Sequence, residues 1–285
     1  MAAQAPTTVL ITGCSTGIGR ATAERLAGKG FTVWASARRP EQLADLAAHG
    51  CRTVALDVCD EASMRAALAT IEAQDGPVGA LVNNAGYGQE GAFETTPMAE
   101  IRRQFETNVF GLVRLTQLVL PGMRRRGAGR IVNLSSMGGT LTLPGGAYYH
   151  ATKHALEALS DALRFEVAGF GIQVVVVQPG PIRTAFGDTA IDAIRAAAAD
   201  GGPYTGFHES LAKAIRDAYD GPMGKLALGP EAVAAVIEKA LTAPRPRTRY
   251  TVTAAARMMM ALRRWLPDRA FDAVLRTQIP PPQPA

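Results

Sequence analysis

Cysteine is scarce in this chain, and the three present, Cys14, Cys51 and Cys59, are an odd number without the spacing of a metal-binding set. That argues against a disulfide framework and against a cysteine-based metal centre. No metal is expected, and the thiols read as reduced packing groups. No run of about eighteen apolar residues occurs, so no integral membrane segment is expected. The N-terminal Met-Ala-Ala-Gln-Ala-Pro lacks the charged flank and apolar core of a secretory signal, which predicts a soluble, cytoplasmic protein. Charge of one sign is not concentrated either. The formal net charge of +5 is modest; Arg124 to Arg126 read as cations closing a helix, and Arg245 to Arg249, interleaved with prolines, read as a solvated loop. Nucleic acid is therefore not an expected partner.

What the chain does have is 47% hydrophobic residues over 285 positions, enough to bury a large core. Short apolar runs alternate with helical patterns. Strands are predicted over Thr8 to Ile11, Thr32 to Ser36, Thr53 to Leu56, Ala80 to Asn83, Arg130 to Leu134 and Ile172 to Val177, with Tyr250 to Thr253 as a final edge strand. Helices are predicted after the first strand, around Glu41 to Ala48 and Ala62 to Gln74, over Pro97 to Arg126 as one long helix or two, and from Tyr149 to Gly169 or Gly171. The first strand runs into Thr12-Gly-Cys-Ser-Thr-Gly-Ile-Gly19 and then a helix. Strand, glycine turn and helix form the context in which Gly13, Gly17 and Gly19 let the backbone approach a pyrophosphate, whose charge meets the helix N-terminus. Their Gly-x-x-x-Gly-x-Gly spacing is one residue wider than the common dinucleotide fingerprint, so a plain glycine turn stays open on this stretch alone. The pattern predicts an α/β fold, Rossmann-like and doubly wound, with a mainly parallel seven-stranded sheet and helices on both faces, built as a single domain over residues 1–285.

Chemistry in such a sheet collects at the carboxyl ends of the strands. The second strand ends in Ala37, Arg38 and Arg39, with no carboxylate to repel a phosphate, which favours NADP(H) over NAD(H); the other reading is a pair of loop arginines before Pro40. Asp57 closes the third strand. Asn83-Asn-Ala-Gly86 closes the fourth, either as a turn held by asparagine hydrogen bonds or as a close approach for a cofactor ribose. Asn108 and Gly111 are unfavourable inside a helix and imply a tertiary reason, close packing or a bound water chain. Ser135 and Ser136 end the fifth strand, ahead of a glycine-rich loop from Met137 to Gly146. Pro179 to Thr184 form a sharp turn after the sixth, where the Thr184 hydroxyl either reaches a carboxamide or only packs.

Tyr149 and Lys153 stand four residues apart and so share one helix face, ammonium near phenol. A free tyrosine has a pKa of about 10, and a nearby cation lowers it, giving a proton donor and acceptor for carbonyl or alcohol chemistry. A surface pair has the same spacing. The neighbouring Tyr148 has Thr152 as its partner and lacks the cation, which leaves it as a pocket or packing residue. Further along the helix, Leu156, Leu159 and Leu163 form a stripe beside Ala151, Ala155, Ala158 and Ala162, a flat surface suited to the sheet or to a second subunit. Residues 185 to 228, broken by Gly201-Gly202-Pro203 and Gly221-Pro222, read as short helices forming a lid or pocket wall. Residues 255 to 285 form a C-terminal extension in which Met258 to Met260, Trp265, Leu266, Phe271 and Leu275 alternate with arginines. It covers a pocket, a subunit contact or a membrane surface. Pro280 to Ala285 are expected to be disordered.

Together the Thr-Gly-x-x-x-Gly-x-Gly turn, Asp57, Asn83-Asn-Ala-Gly86, Asn108, Ser136 thirteen residues before Tyr149, and Tyr149-x-x-x-Lys153 resemble the short-chain dehydrogenase/reductase family, single-domain type, over Thr8 to Thr184. The wider glycine spacing is that family's own form. The resemblance implies an NADP(H)-dependent oxidoreductase interconverting a carbonyl and a primary or secondary alcohol. Asn108, Ser136, Tyr149 and Lys153 would then be catalytic. Lys153 would hold the nicotinamide ribose and depress the Tyr149 pKa, Ser136 would bind the substrate oxygen, and Asn108 would position a water. Cofactor contacts would come from Gly13, Ser15, Thr16, Gly17, Ile18, Gly19, Arg38, Asp57, Val58, Asn84, Ala85, Gly86, Tyr149, Lys153, Pro179, Gly180, Ile182 and Thr184. Val33 to Leu43 is similar to a branch acting on steroids, retinoids and other lipophilic ketones and aldehydes. A homodimer or homotetramer is the implied assembly. Two other classes stay open: a catalytically silent NADP(H) sensor, which the intact set of four argues against, and a membrane-peripheral scaffold using the C-terminal tail.

Overall fold

Apolar runs that are hydrophobic on both faces belong in a sheet covered from both sides, and that is where the chain puts them. The computed structural model describes residues 8–198, 201–220 and 227–282. Seven strands, β1 (Thr8–Ile11), β2 (Thr32–Ala37), β3 (Arg52–Ala55), β4 (Ala80–Asn83), β5 (Gly129–Leu134), β6 (Ile172–Gln178) and β7 (Arg249–Thr251), form one sheet in the order β3-β2-β1-β4-β5-β6-β7. Every adjacent pair is parallel, so the sheet is wholly rather than mainly parallel. Alternation divides the core in two. Val9, Ile11, Val33 and Val175 face one layer, packed with Leu26, Ile237 and Leu241; Leu10, Trp34, Leu81 and Val174 face the other, packed with Met64, Ile71, Leu115 and Met123.

The helices of the first layer include α1 (Gly17–Ala27), while α3 (Glu61–Asp75) covers the second. Between them the expected helix over Glu41 to Ala48 splits into a 3-10 turn, Pro40–Leu43, and a short α2 (Ala44–Ala48). Strand ends differ from expectation by small shifts with local causes. β7 stops at Thr251 because Thr253 leaves the ladder to cap the next helix, its hydroxyl accepting from Ala256 N at 3.0 Å.

Residues 98–126 form one helical run with a fault in the middle. α4 (Met98–Phe105) passes into a π-helical turn, Glu106–Gly111, and then α5 (Leu112–Arg126). Asn108 and Gly111 lie in that turn, which is the tertiary reason their presence implied. A Cβ on Gly111 would stand 2.2 Å from the Val58 carbonyl oxygen. The helix therefore touches the loop after β3 backbone to backbone. Gly111→Ala is expected to lower stability by about 1–3 kcal/mol through this overlap. Urea unfolding measures it; an unchanged midpoint would contradict the contact.

After α6 (Ala147–Val167) and β6, residues expected as short helices form two longer ones, α7 (Ala185–Ala198) and α8 (Thr205–Asp220). They pack through Ile191, Ile194, Leu211 and Ala212. The Gly221-Pro222 break lies outside the described residues. α9 (Pro230–Thr242) then returns the chain to the first layer. The tail forms α10 (Ala254–Trp265) and α11 (Asp268–Arg276). Phe271 and Leu275 are buried, and Ile279 joins the apolar cluster between α7 and α8. Met258 and Trp265 remain 52% and 80% exposed. Of the residues expected to be disordered, 280–282 are described as irregular chain and 283–285 lie outside the described residues. Among the described residues no helix is long and apolar enough to cross a membrane.

Candidate active site

Strand β1 sits between β2 and β4, where the winding of the sheet reverses, so a crevice opens at its carboxyl end. The glycine turn lines it. Gly13 and Gly17 hold φ of +72° and +59°, and a Cβ on Gly19 would stand 2.3 Å from the Gly13 carbonyl oxygen. A side chain at these positions would be strained or would fill the cradle. Thr16, the residue before α1, makes no side-chain cap, and the first turn of α1 carries no acidic residue. The helix amides are left facing the crevice, as an anion requires. Ser15 and Ile18 are half-buried in the turn, and Thr16 is exposed.

The turn after β4 is clamped to the glycine turn. Asn84 donates to the Thr12 and Gly13 carbonyl oxygens at 2.8 and 3.0 Å, while the Thr12 hydroxyl accepts from Asn84 N and Ala85 N, both at 3.0 Å. Asn83 points the other way, into the core, donating to Thr116 Oγ1 and Asn133 Oδ1. Asparagine hydrogen bonds thus hold the turn, and in doing so they bring Ala85 and Gly86 beside Gly13. On the opposite side, the loop after β6 is anchored by Met137 N donating to the Pro179 carbonyl oxygen at 2.8 Å. Gly180 lies tight against Thr253, Ile182 bridges to Leu228, and the Thr184 methyl stands 3.3 Å from where a Gly17 Cβ would be. The Thr184 hydroxyl accepts from Phe186 N at 3.3 Å. At the end of β2, Ala37 is buried, while Arg38 and Arg39 are exposed and pair with no carboxylate among the described residues. Asp57 accepts from Cys59 N at 2.9 Å, and Val58 is buried. These groups suit a dinucleotide: a glycine cradle that any Cβ would fill, uncapped helix amides, and cations at the far end.

The four candidate catalytic residues converge beside this crevice. Lys153 is only 6% exposed, and its Nζ donates to the Leu134 carbonyl oxygen at 2.8 Å, so the pair with Tyr149 is not a solvated surface pair. Its Nζ lies 5.7 Å from the Tyr149 ring centre. The Ser136 hydroxyl accepts from Gly138 N at 3.0 Å, which leaves its proton for the hydrogen bond it makes with the Tyr149 phenol. Asn108, in the π turn, is held at three points: it donates to the Tyr87 carbonyl oxygen at 2.9 Å and to Thr152 Oγ1 at 3.2 Å, and accepts from Tyr87 N at 3.1 Å. Its Oδ1 and Lys153 Nζ both approach Gly86, 3.0 and 3.8 Å from where a Cβ there would be.

One expectation is corrected. The Tyr149 phenol is not depressed by the lysine. Burial raises it, the hydrogen bond from Ser136 pulls it back only in part, and the Glu90 and Tyr219 charges add to the rise. Burial also brings Lys153 down to about 8, against a smaller upward pull from Glu157. Tyr148, as expected, serves packing: its hydroxyl donates to the Phe93 carbonyl oxygen at 2.8 Å and its ring stacks on Phe93.

Residues not singled out in the sequence complete the site. Phe186 lies 5.4 Å from Tyr149 between ring centres, His150 donates through Nδ1 to the Gly138 carbonyl oxygen at 3.1 Å, and Glu90 and Tyr219 act electrostatically on Tyr149. None of the four carried a signal of its own in the sequence.

The family model for short chain dehydrogenase matches residues 7–194. The uncharacterized oxidoreductase YbbO of Escherichia coli (strain K12) is 38% identical over 269 residues, covering 94% of this chain and 93% of its own. The NADPH-dependent 3-dehydrocapnine reductase of Ornithobacterium rhinotracheale is 34% identical over 276 residues, covering 93% of this chain and 94% of its own. A solved short-chain dehydrogenase from Streptomyces avermitilis superposes with a TM-score of 0.76 at 34% identity, covering 96% of each chain.

Proposed function

The chain belongs to the short-chain dehydrogenase family of oxidoreductases, whose fold binds nicotinamide cofactors, and on that premise we propose that it is an NADPH-dependent reductase of lipophilic ketones or aldehydes. The observation that carries this reading is the buried Lys153, fixed to the end of β5 beside a Tyr149 whose phenol meets Ser136. NADPH, when bound, supplies the hydride, since no side chain can. Gly13, Ser15, Thr16, Gly17, Ile18 and Gly19 hold its pyrophosphate end, Arg38 its 2′-phosphate, Asp57 and Val58 the adenine side, and Asn84, Ala85 and Gly86 a ribose. Pro179, Gly180, Ile182 and Thr184 hold the nicotinamide side, with Lys153 on the ribose hydroxyls. Tyr149 gives its proton to the carbonyl oxygen, and Ser136 hydrogen-bonds that oxygen as negative charge develops. Asn108 positions a water that returns a proton from solvent by way of Lys153.

A lipophilic substrate, whether steroid, retinoid or other long-chain carbonyl, is supported by the aromatic walls from Phe186 and Tyr219 and by the relative named as a 3-dehydrocapnine reductase. Helices α7 and α8 are read as the lid of that pocket within a single domain, and residues 255–285 as the extension that seats it. The exposed Leu159 and Phe165 on α6 support a homodimer or homotetramer, and a cytoplasmic setting completes the reading. A second reading rests on Met258 and Trp265, which stand exposed among the arginines of the tail and suit peripheral membrane contact. Liposome co-sedimentation with and without residues 255–285 tests it. The test of the main proposal is carbonyl-dependent NADPH oxidation over a panel of ketones, aldehydes and steroids. Turnover of at least one class is expected; none across the panel would overturn it.

A further inference from the structure

Glu90 has no role in the steps above, and its surroundings give it one. Among the described residues its carboxylate makes no hydrogen bond and no ion pair. The backbone beside it is held from both sides, Gly91 N donating to the Gly145 carbonyl oxygen at 2.8 Å and Ala92 N to His208 Nε2 at 3.1 Å. The carboxylate stands where α6, α7 and α8 meet the loop after β4. One oxygen lies 3.5 Å, and Phe186 Cζ 2.8 Å, from where a Gly88 Cβ would be. The other lies 2.8 Å from where a Gly146 Cβ would be, a point that is 2.6 Å from His150 Nε2. Tyr149 and Tyr219 both feel its charge. Tyr219 packs in turn against Gly187, next to Phe186.

The chemistry of this group of atoms has one sense. His150 Nδ1 faces a carbonyl oxygen and therefore carries the ring proton, which leaves Nε2 as an acceptor. Burial lowers His150 to about 4, so the ring stays neutral at working pH. Glu90 becomes an acceptor only once ionised, and around it stand the rings of Phe186, Tyr149 and Tyr219. Among the described residues the cation at these groups is Lys153, whose Nζ lies 5.7 Å from the Tyr149 ring centre and is fixed to the Leu134 carbonyl oxygen, so the Glu90 side of the group has no positive charge, and an ammonium is stabilised by acceptors and by aromatic rings alike. Lys153 does not fill that place; its own electrostatic partner is Glu157.

We propose that Glu90 is a substrate-specificity residue, the anchor for a protonated primary amine carried within a few bonds of the carbonyl that Tyr149 protonates. This rests on the reductase reading and narrows its substrate class to lipophilic amino ketones. Desolvation raises the unpartnered Glu90 carboxyl to about 8, so at neutral pH it is largely protonated until a cation arrives. Among the described residues the titratable groups facing it, Tyr149, His150 and Tyr219, are all neutral there, as burial lowers the histidine and raises both phenols. Binding an ammonium then ionises Glu90 and releases a proton.

The test uses the full chain, with decylamine and decanol as matched probes followed by calorimetry. Decylamine is expected to bind about thirtyfold or more tightly than decanol, and Glu90→Gln to bring that ratio close to one. In wild type at neutral pH, amine binding read in buffers of different ionisation enthalpy should release a fraction of a proton, and alcohol binding none. Equal affinities, a preference that survives in Glu90→Gln, or proton-neutral amine binding would each overturn the assignment. NADP+ binding reports whether Glu90→Gln has folded; if it has not, the proton release in wild type decides. Neither readout needs turnover. If the amine preference holds while no ketone is reduced, the reductase reading fails alone; if ketones are reduced and the amine has no advantage, the Glu90 assignment fails alone.

Discussion

Tyr149→Phe keeps NADPH binding and loses about a thousandfold in kcat, the usual contribution of a positioned general acid together with the hydrogen bond it makes to the reacting oxygen. The substitution removes one oxygen and little volume. The ring keeps its packing against Phe186 and His150, so a loss of turnover is not a loss of fold. Lys153 keeps its bond to the Leu134 carbonyl oxygen, and cofactor affinity, read by NADPH fluorescence, should stay near wild type. Wild-type turnover in the variant would remove Tyr149 from the mechanism. Tyr148→Phe is the matched control, losing one hydrogen bond to Phe93, and is expected to keep turnover within about threefold. The pH dependence follows from the same groups. Lys153, depressed by burial to about 8, is charged below that pH and neutral above it, and the Tyr149 phenol stays protonated through the neutral range. Reduction is therefore expected to hold at neutral pH and to fall as pH rises through about 8.

The sheet was legible because parallel strands buried on both faces read as apolar runs whose length excludes helices, and β1 and β4 match the expected limits. The candidate crevice and the four convergent residues were legible for a related reason. They lie at strand ends and on one helix turn, where backbone geometry, and so glycine and asparagine spacing, is written locally. What lay beyond the sequence was set by packing across long separations. Glu90, His150, Phe186 and Tyr219 come from four elements, and no periodicity relates them. The rise of the Tyr149 phenol belongs to the same class, since spacing reports the lysine four residues away but not the protein that surrounds both groups. The π turn at Asn108 falls between: the two unfavourable helix residues announced a tertiary constraint, but its form needed the contact of Gly111 with the Val58 carbonyl.

Arg38→Ala should lower kcat/KM with NADPH by about 30- to 150-fold and leave NADH within a few-fold, the effect of losing about 2–3 kcal/mol of charge-assisted hydrogen bonding to a phosphate. The reason is as much what surrounds Arg38 as the residue itself. β2 ends in the buried Ala37, so no carboxylate stands there to bond ribose hydroxyls and repel a phosphate, and neither Arg38 nor Arg39 is engaged by an acidic group among the described residues. At Cys59, where partial desolvation raises the thiol, the Arg38 charge pulls in the opposite direction, which sets the guanidinium beside the turn after β3. Arg39 is exposed one position on and is expected to supply part of the lost attraction, so the double variant Arg38→Ala/Arg39→Ala should fall further than the single. Because both cations face solvent, the NADPH advantage should shrink as salt is added, and the NADH rate should not. Higher kcat/KM with NADH in wild type, or an NADPH to NADH ratio unmoved by the double variant, would show that this strand end does not read the 2′-phosphate and would return the cofactor preference to the crevice as a whole.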